Sequence, residues 1–237
     1  FVTGAVQIFG EGHRGLDTDD LIARFRAERQ ILSLLDHPGI ARILDGGAMD
    51  DGRPYLVMDL VDGVPITDFC RQHSLDVRAR ACLVRDVLEA LGYAHRNLIV
   101  HRDVKPSNVL VRPDGSICLL DFGIAKLLEP DTSPGPWSLT RTGIALLTPG
   151  YGSPEQLAGG AVTTATDVYQ AGLVLFELLT GQPPPSHGAG SDDVEPHSPA
   201  SALRGHSRHR AVRGDLDAIT RKATHPDPER RYASAVE

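Results

Sequence analysis

Residues 101–108 read His101-Arg102-Asp103-Val104-Lys105-Pro106-Ser107-Asn108, and thirteen positions beyond Asn108 the chain reads Asp121-Phe122-Gly123. Between the two motifs, apolar runs at Val109 to Val111 and Ile117 to Leu120 flank Arg112-Pro113-Asp114-Gly115-Ser116. Pro presets its own φ and Gly accepts positive φ, so the spacing predicts a β-hairpin. A carboxylate beside a Lys and an Asn is thereby set near a second carboxylate, with Asn108 and Asp121 at opposite ends of one hairpin.

Such a set suits phosphoryl transfer. That reaction asks little covalent chemistry of a protein and much positioning of one hydroxyl, Mg2+ and a triphosphate. The two motifs resemble the catalytic and metal loops of eukaryotic-like, bacterial-type Ser/Thr protein kinases. Carried over residue by residue, the resemblance makes Asp103 the base that addresses the substrate hydroxyl. Lys105 becomes a cation for the transferring group, also counted toward nucleotide binding. Asn108 and Asp121 become the Mg2+ ligands, a hard-oxygen pair completed by phosphate oxygens and water. His101 and Phe122 are implied to pack the loops onto the core. Leu110 is implied to lie under adenine, although an ordinary core Leu fits the sequence equally well.

Upstream, Thr18-Asp19-Asp20 precedes Leu21, Ile22, Phe25, Glu28, Leu32 and Leu35 at helical spacing. The resemblance makes this the αC helix and Glu28 its ion-pairing carboxylate, ten residues before Pro38. After Ala41 to Leu44 comes a Gly-rich acidic stretch, read as a turn. The apolar run Tyr55 to Val61 then predicts a buried strand. By resemblance Met58 guards the back of the adenine pocket, and the backbones of Asp59 and Val61 bind the purine. Asp76 to Arg96 predicts the strongest helix, with Leu83, Val84, Val87, Leu88, Leu91 and Ala94 on one face.

Downstream, residues 127–147 are irregular and rich in Ser, Thr, Pro and Gly, and they lead to Thr148-Pro149 and Ser153-Pro154-Glu155. The resemblance reads an activation segment here. The same resemblance implies that Thr148 faces the substrate groove, that Arg102 awaits a phosphate and that Ser138, Thr140 and Thr142 are candidate modification sites, although an unmodified, solvated Ser/Thr linker fits the residues equally well. Thr163 to Thr180 predicts a very apolar helix stopped by Gly181 and the following prolines. By resemblance its Asp167 ties the 101–103 backbone to the core, and Glu155 pairs with Arg231. Residues 183–209 read as a surface excursion. His206 and His209 lack the partners a metal site needs, and Arg204, Arg208, Arg210 and Arg213 read as a solvated face, with docking of an acidic partner as the alternative.

Composition bounds the reading. The chain has 237 residues, 41% of them hydrophobic, with a net charge of −7, which argues against a nucleic-acid binder. Cys70, Cys82 and Cys118 have neither metal nor redox spacing and fit reduced thiols in a cytoplasmic setting. No run reaches the ~18 apolar residues of a membrane span, so any anchor of a longer parent lies outside this chain.

The expected architecture is an α+β, two-lobed kinase-like fold. Residues 1–61 form a partial small lobe with the hinge, residues 62–237 form a mostly helical large lobe, and the domain is incomplete at both ends. The expected activity is ATP- and Mg2+-dependent phosphorylation of protein Ser/Thr hydroxyls. One departure stands out. Ala5-Val6-Gln7-Ile8 resembles the strand that carries the ATP-binding Lys, yet Gln7 occupies that position and no Gly-rich loop precedes it. A kinase-shaped binding module that transfers nothing is therefore the rival reading. A small-molecule phosphotransferase fits less well, because residues 148–155 match a peptide-binding segment.

Overall fold

The computed structural model describes residues 4–8, 30, 32–50, 53–122, 150–185 and 196–237. The expected Glu28, Gly123, Ser138, Thr140, Thr142 and Thr148 lie outside the described residues.

Strand β1 (Gly4–Ile8) and strand β2 (Ile43–Ala48) flank β3 (Pro54–Asp59) in an antiparallel sheet of order β1-β3-β2. Gln7 pairs with Leu56 and Ala5 with Met58. Two expectations change here. The Gly-rich stretch at Asp45 to Gly47 is strand, entered through an irregularity between Ile43 and Asp45. A Cβ on Gly47 would meet the Tyr55 hydroxyl at 3.0 Å, so the glycine is there to admit a cross-strand aromatic ring rather than to turn the chain. The reversal itself is later, where Met49 N–H donates to the Arg53 carbonyl. β3 ends at Asp59 and buries Pro54, Leu56 and Met58, whereas Tyr55, Val57 and Asp59 on its other face are half-buried.

A second antiparallel sheet holds β4 (Val64–Pro65), β5 (Val109–Val111) and β6 (Ile117–Leu119). The predicted hairpin is present with Leu110 opposite Cys118, and Gly115 takes φ 86° in its turn. The sheets are joined where Ala41 N–H donates to Leu119 O and Leu119 N–H to Gly39 O.

Helix α1 (Ile66–Gln72) leads into α2 (Val77–Arg96), whose start is set by the Asp76 carboxylate accepting from Ala79 N–H. The predicted stripe is its buried face, joined by Ala90, while Leu88 packs at the margin. After the short α3 (Pro154–Leu157) comes the central helix α4 (Thr164–Thr180), started by a Thr163/Thr166 capping box and stopped by Gly181 in the left-handed region. α4 is buried nearly all round, between α2 and α7 (Asp215–Ala223). A Cβ on Gly172 would lie 2.8 Å from Thr224 Cγ2, so this glycine sets how closely α7 approaches.

The expected surface excursion is only partly one. Within it are α5 (Pro199–Ala202) and, at its end, the start of α6 (His209–Val212), with Leu203 and Val212 in the core. Arg208 leaves the predicted solvated face: its guanidinium donates to the Leu179 and Thr180 carbonyls, and Arg80 donates to Leu178 O. A buried helix end needs such donors for its last carbonyls. Arg204, Arg210 and Arg213 are exposed as expected. His206 serves its own turn, its Nδ1 accepting from Arg208 N–H. Among the described residues no cluster of three His, Cys, Asp or Glu side chains suits a metal, and no helix is long and apolar enough to cross a membrane.

Candidate functional site

The 101–108 loop leaves α2, passes through a single 3-10 turn at Pro106–Asn108 and enters β5. Its backbone hangs on Asp167, a fully buried carboxylate on α4 that accepts from His101 N–H and Arg102 N–H, each at 2.8 Å, and from His95 Nε2 at 2.7 Å. The sequence reading anticipated the Asp167 tie but missed His95. Its only signal was a His near the end of α2.

His101 is itself buried, and burial holds its imidazole below the ordinary value of 6.5 despite the nearby Asp167 and Asp103. It is therefore neutral near pH 7. Its Nε2 lies 2.8 Å from the Leu120 carbonyl, which can only accept, so the proton sits on Nε2. Nδ1 is then the acceptor facing Asp103 N–H. The ring also packs against Phe122 at 4.5 Å between centroids, which links the two motifs as expected.

The predicted polar residues converge. Lys105 Nζ is 2.8 Å from Asp103 Oδ2. Asn108 Nδ2 donates to the same carboxylate oxygen at 3.1 Å and to the Asp103 carbonyl at 2.9 Å. The amino end of the Asn108 amide is thus spent on Asp103, while its Oδ1 accepts from Ser107 Oγ–H at 3.5 Å. Asp121 follows β6 with φ 50°, and Arg102 has φ 70°, both in the left-handed region that non-glycine residues adopt only when the surroundings hold them there. Burial pushes the Asp121 carboxyl up, as does the Asp103 charge, partly offset by Lys105 and a hydrogen bond from Gln7. Gln7 thus faces the second carboxylate, where the resemblance expects the Lys.

Gln7, Ala41, Ile43, Leu56, Met58, Asp121 and Phe122 line one small cavity. Met58 forms part of its wall. Asp59 and Val61 line a different, outer cleft with Arg42 and Arg112 to Asp114. Leu110 is half-buried, on the side of β5 opposite the buried Val109 and Val111.

Glu155 and Arg231 form the expected pair, bidentate at 2.8 Å for each N···O contact. The guanidinium also donates to the carbonyls of His225, Ala165 and Pro226 and lies over the Tyr169 ring.

Comparison with known proteins places this geometry. A sequence model of the protein kinase domain matches residues 11–235. The chain is 36% identical over 218 residues to the serine/threonine-protein kinase PknB of Mycobacterium tuberculosis, covering 90% of this chain and 34% of that protein. It is 37% identical over 218 residues to the serine/threonine-protein kinase PrkC of Bacillus subtilis, covering 92% and 33%. The serine/threonine-protein kinase PkaA of Streptomyces coelicolor is 40% identical over 189 residues, or 78% and 34%. The chain thus spans about a third of the length of these relatives. Among solved structures, Rad53 1-466 in complex with AMP-PNP matches with a TM-score of 0.69 at 24% identity, covering 99% of this chain and 57% of that one, a likeness of fold.

Proposed function

Because the chain belongs to the protein kinase family, we propose that it carries the catalytic domain of a Ser/Thr protein kinase, moving the γ-phosphoryl group of ATP to Ser or Thr hydroxyls of a protein substrate. We place the small lobe and hinge at residues 1–61 and the large lobe at 62–237. The observation that carries the reading is the Asp103 carboxylate, held between Lys105 and Asn108 on a loop anchored to the central helix. A carboxylate so placed orients the attacking hydroxyl and takes its proton as the oxygen bonds to phosphorus and the bond to ADP breaks. Lys105, beside it, offsets charge on the transferring group.

Asn108 Oδ1 and the Asp121 carboxylate fit Mg2+, which prefers oxygen donors and retains water. When bound, the ion neutralises phosphate charge. Asp59 has its N–H committed to the Arg42 carbonyl and its carboxylate to the Arg42 guanidinium, each at 2.9 Å, so its carbonyl is the group assigned to the purine, with Val61 N–H beside it. Leu110 is assigned to the floor under the base and Glu28 to the αC carboxylate, for which Gln7 supplies no cation.

A specific observation favours a second reading, an impaired, kinase-shaped binding module. Gln7 offers Asp121 a neutral amide where the resemblance expects a cation. Losing one charged phosphate contact costs ~2 to 4 kcal/mol of transition-state stabilisation. Transfer of label from ATP to Ser/Thr peptides by the native chain, Gln7→Lys and Gln7→Lys/Asp103→Asn tests both readings. The kinase reading expects Gln7→Lys to gain transfer and Asp103→Asn to abolish it with ATP affinity nearly unchanged. A folded Gln7→Lys protein that binds ATP and transfers nothing supports the binding module, and equal rates with and without Asp103 remove that residue from its role.

A further inference from the structure

Two glutamines outside the 101–108 motif grip the peptide groups on either side of Asp103. Gln170, on α4, is 1% exposed. Its Oε1 accepts from Val104 N–H at 2.8 Å, and its Nε2 donates to the Arg102 carbonyl at 3.2 Å and to Gln156 Oε1 at 3.0 Å. Gln156, on α3, donates from Nε2 to the same Arg102 carbonyl at 2.8 Å, while its Oε1 accepts from Ser153 N–H and Oγ–H. The Arg102 carbonyl belongs to the peptide before Asp103, and the Val104 N–H belongs to the peptide after it. Both planes that set φ and ψ of Asp103 are therefore held by side-chain amides.

From this geometry we infer that Gln170 and Gln156 are positioning residues for the phosphoryl-transfer step, acting through the backbone of Asp103; the inference rests on the catalytic reading of that residue. Three features support it. Arg102 sits at φ 70°, a conformation that persists only where its neighbours over-determine it. Asp167 holds the N–H side of Arg102, and the two glutamines hold its carbonyl side. Gln170 also spends both amide hydrogens and its oxygen within this network, so an apolar residue of the same length leaves the buried Val104 N–H and part of the Arg102 carbonyl unmatched. The caps of α4 are made by Thr163, Thr166 and Gly181, without the Gln170 side chain. Gln156 adds a link: its oxygen is fixed by Ser153, so the path by which the chain enters α3 is coupled to the Arg102 carbonyl.

The test uses the whole chain with Gln170→Met, Gln156→Met and the double variant, in both the native and the Gln7→Lys background. Hydrogen exchange of the Val104 amide is followed by NMR, with the Val87 and Leu91 amides of α2 as internal controls. Gln170→Met is expected to speed Val104 exchange at least tenfold relative to those controls. It is also expected to lower kcat by roughly ten- to a hundredfold, the scale of a small misplacement of a reacting group, with KM for ATP within about twofold. Gln156→Met is expected to act in the same direction and less strongly, and the double variant to lose less than the product of the single losses, because the two amides act as one unit. Should Gln170→Met not fold, Gln156→Met, which is only half-buried, decides by the same readouts. Unchanged Val104 exchange in folded variants overturns the inference, as does faster exchange with kcat intact. If no background transfers phosphate, the kinase reading fails, and Val104 exchange still decides whether the glutamines hold the loop.

Discussion

Removing the Glu155 carboxylate is expected to cost more stability than any substitution at the catalytic loop's exposed rim. The Arg231 side chain is completely buried and that of Glu155 is 11% exposed. In Glu155→Ala the guanidinium keeps three carbonyl acceptors but loses both carboxylate oxygens, and Thr166 Oγ loses its acceptor. Breaking a buried pair from one side costs ~3 to 5 kcal/mol. For a chain of this size that lowers Tm by roughly 6 to 20 °C. The assay is urea unfolding followed by far-UV circular dichroism for Glu155→Ala, Arg231→Ala and the double variant. The double variant is expected to lose much less than the sum of the single losses. A Glu155→Ala loss below about 1 kcal/mol, the size of an exposed pair, refutes the reasoning, as do additive effects. The pH dependence has a definite sign. Burial pushes the Glu155 carboxyl up, but hydrogen bonds from Arg231 and Thr166 outweigh it and leave the group below its ordinary 4.5. A folded-state value below the unfolded one contributes stability that is complete above about 4.5 and disappears as pH falls through the lower folded value. Glu155→Gln is therefore expected to flatten the acid limb of the stability profile.

Leu98 is 94% exposed at φ 61°, so Leu98→Gly relieves a left-handed penalty of about 1 to 2 kcal/mol against a smaller entropic cost. The urea midpoint should rise by a net ~0.5 to 1 kcal/mol, and a fall refutes the strain argument. Arg208→Met, which uncaps the carboxyl end of α4, should cost roughly 1 to 3 kcal/mol by the same measurement. Arg210→Met on the exposed face should stay within about 0.5 kcal/mol, and equal effects would return Arg208 to the solvated face. Calorimetric titration with Mg2+ should show appreciable binding only when ATP is present, and Asp121→Ala should weaken it. Tight binding without nucleotide that survives Asp121→Ala removes Asp121 from the ligand set.

The elements whose signals are local were legible in the sequence. The 109–119 hairpin follows from Pro113 and Gly115, α2 from Asp76 and its apolar stripe, and α4 from Thr163 at one end and Gly181 at the other, because capping and turn chemistry act within one turn of chain. The motif residues Asp103, Lys105, Asn108 and Asp121 were legible because a short loop and one hairpin set them close in sequence, although the loop's backbone is fixed by Asp167, Gln170 and Gln156 from elsewhere in the fold. The Gly-rich stretch was misread because the need for glycine at Gly47 comes from Tyr55 on the next strand. Arg208 was misread because its partners are carbonyl groups 28 and 29 residues away, and every residue has a carbonyl, so nothing in the sequence marks those two. The clamp on Asp103 was invisible in the same way. Gln170 reaches Val104 across 66 residues, and a glutamine in an apolar helix declares no partner until packing lays that helix beneath the loop.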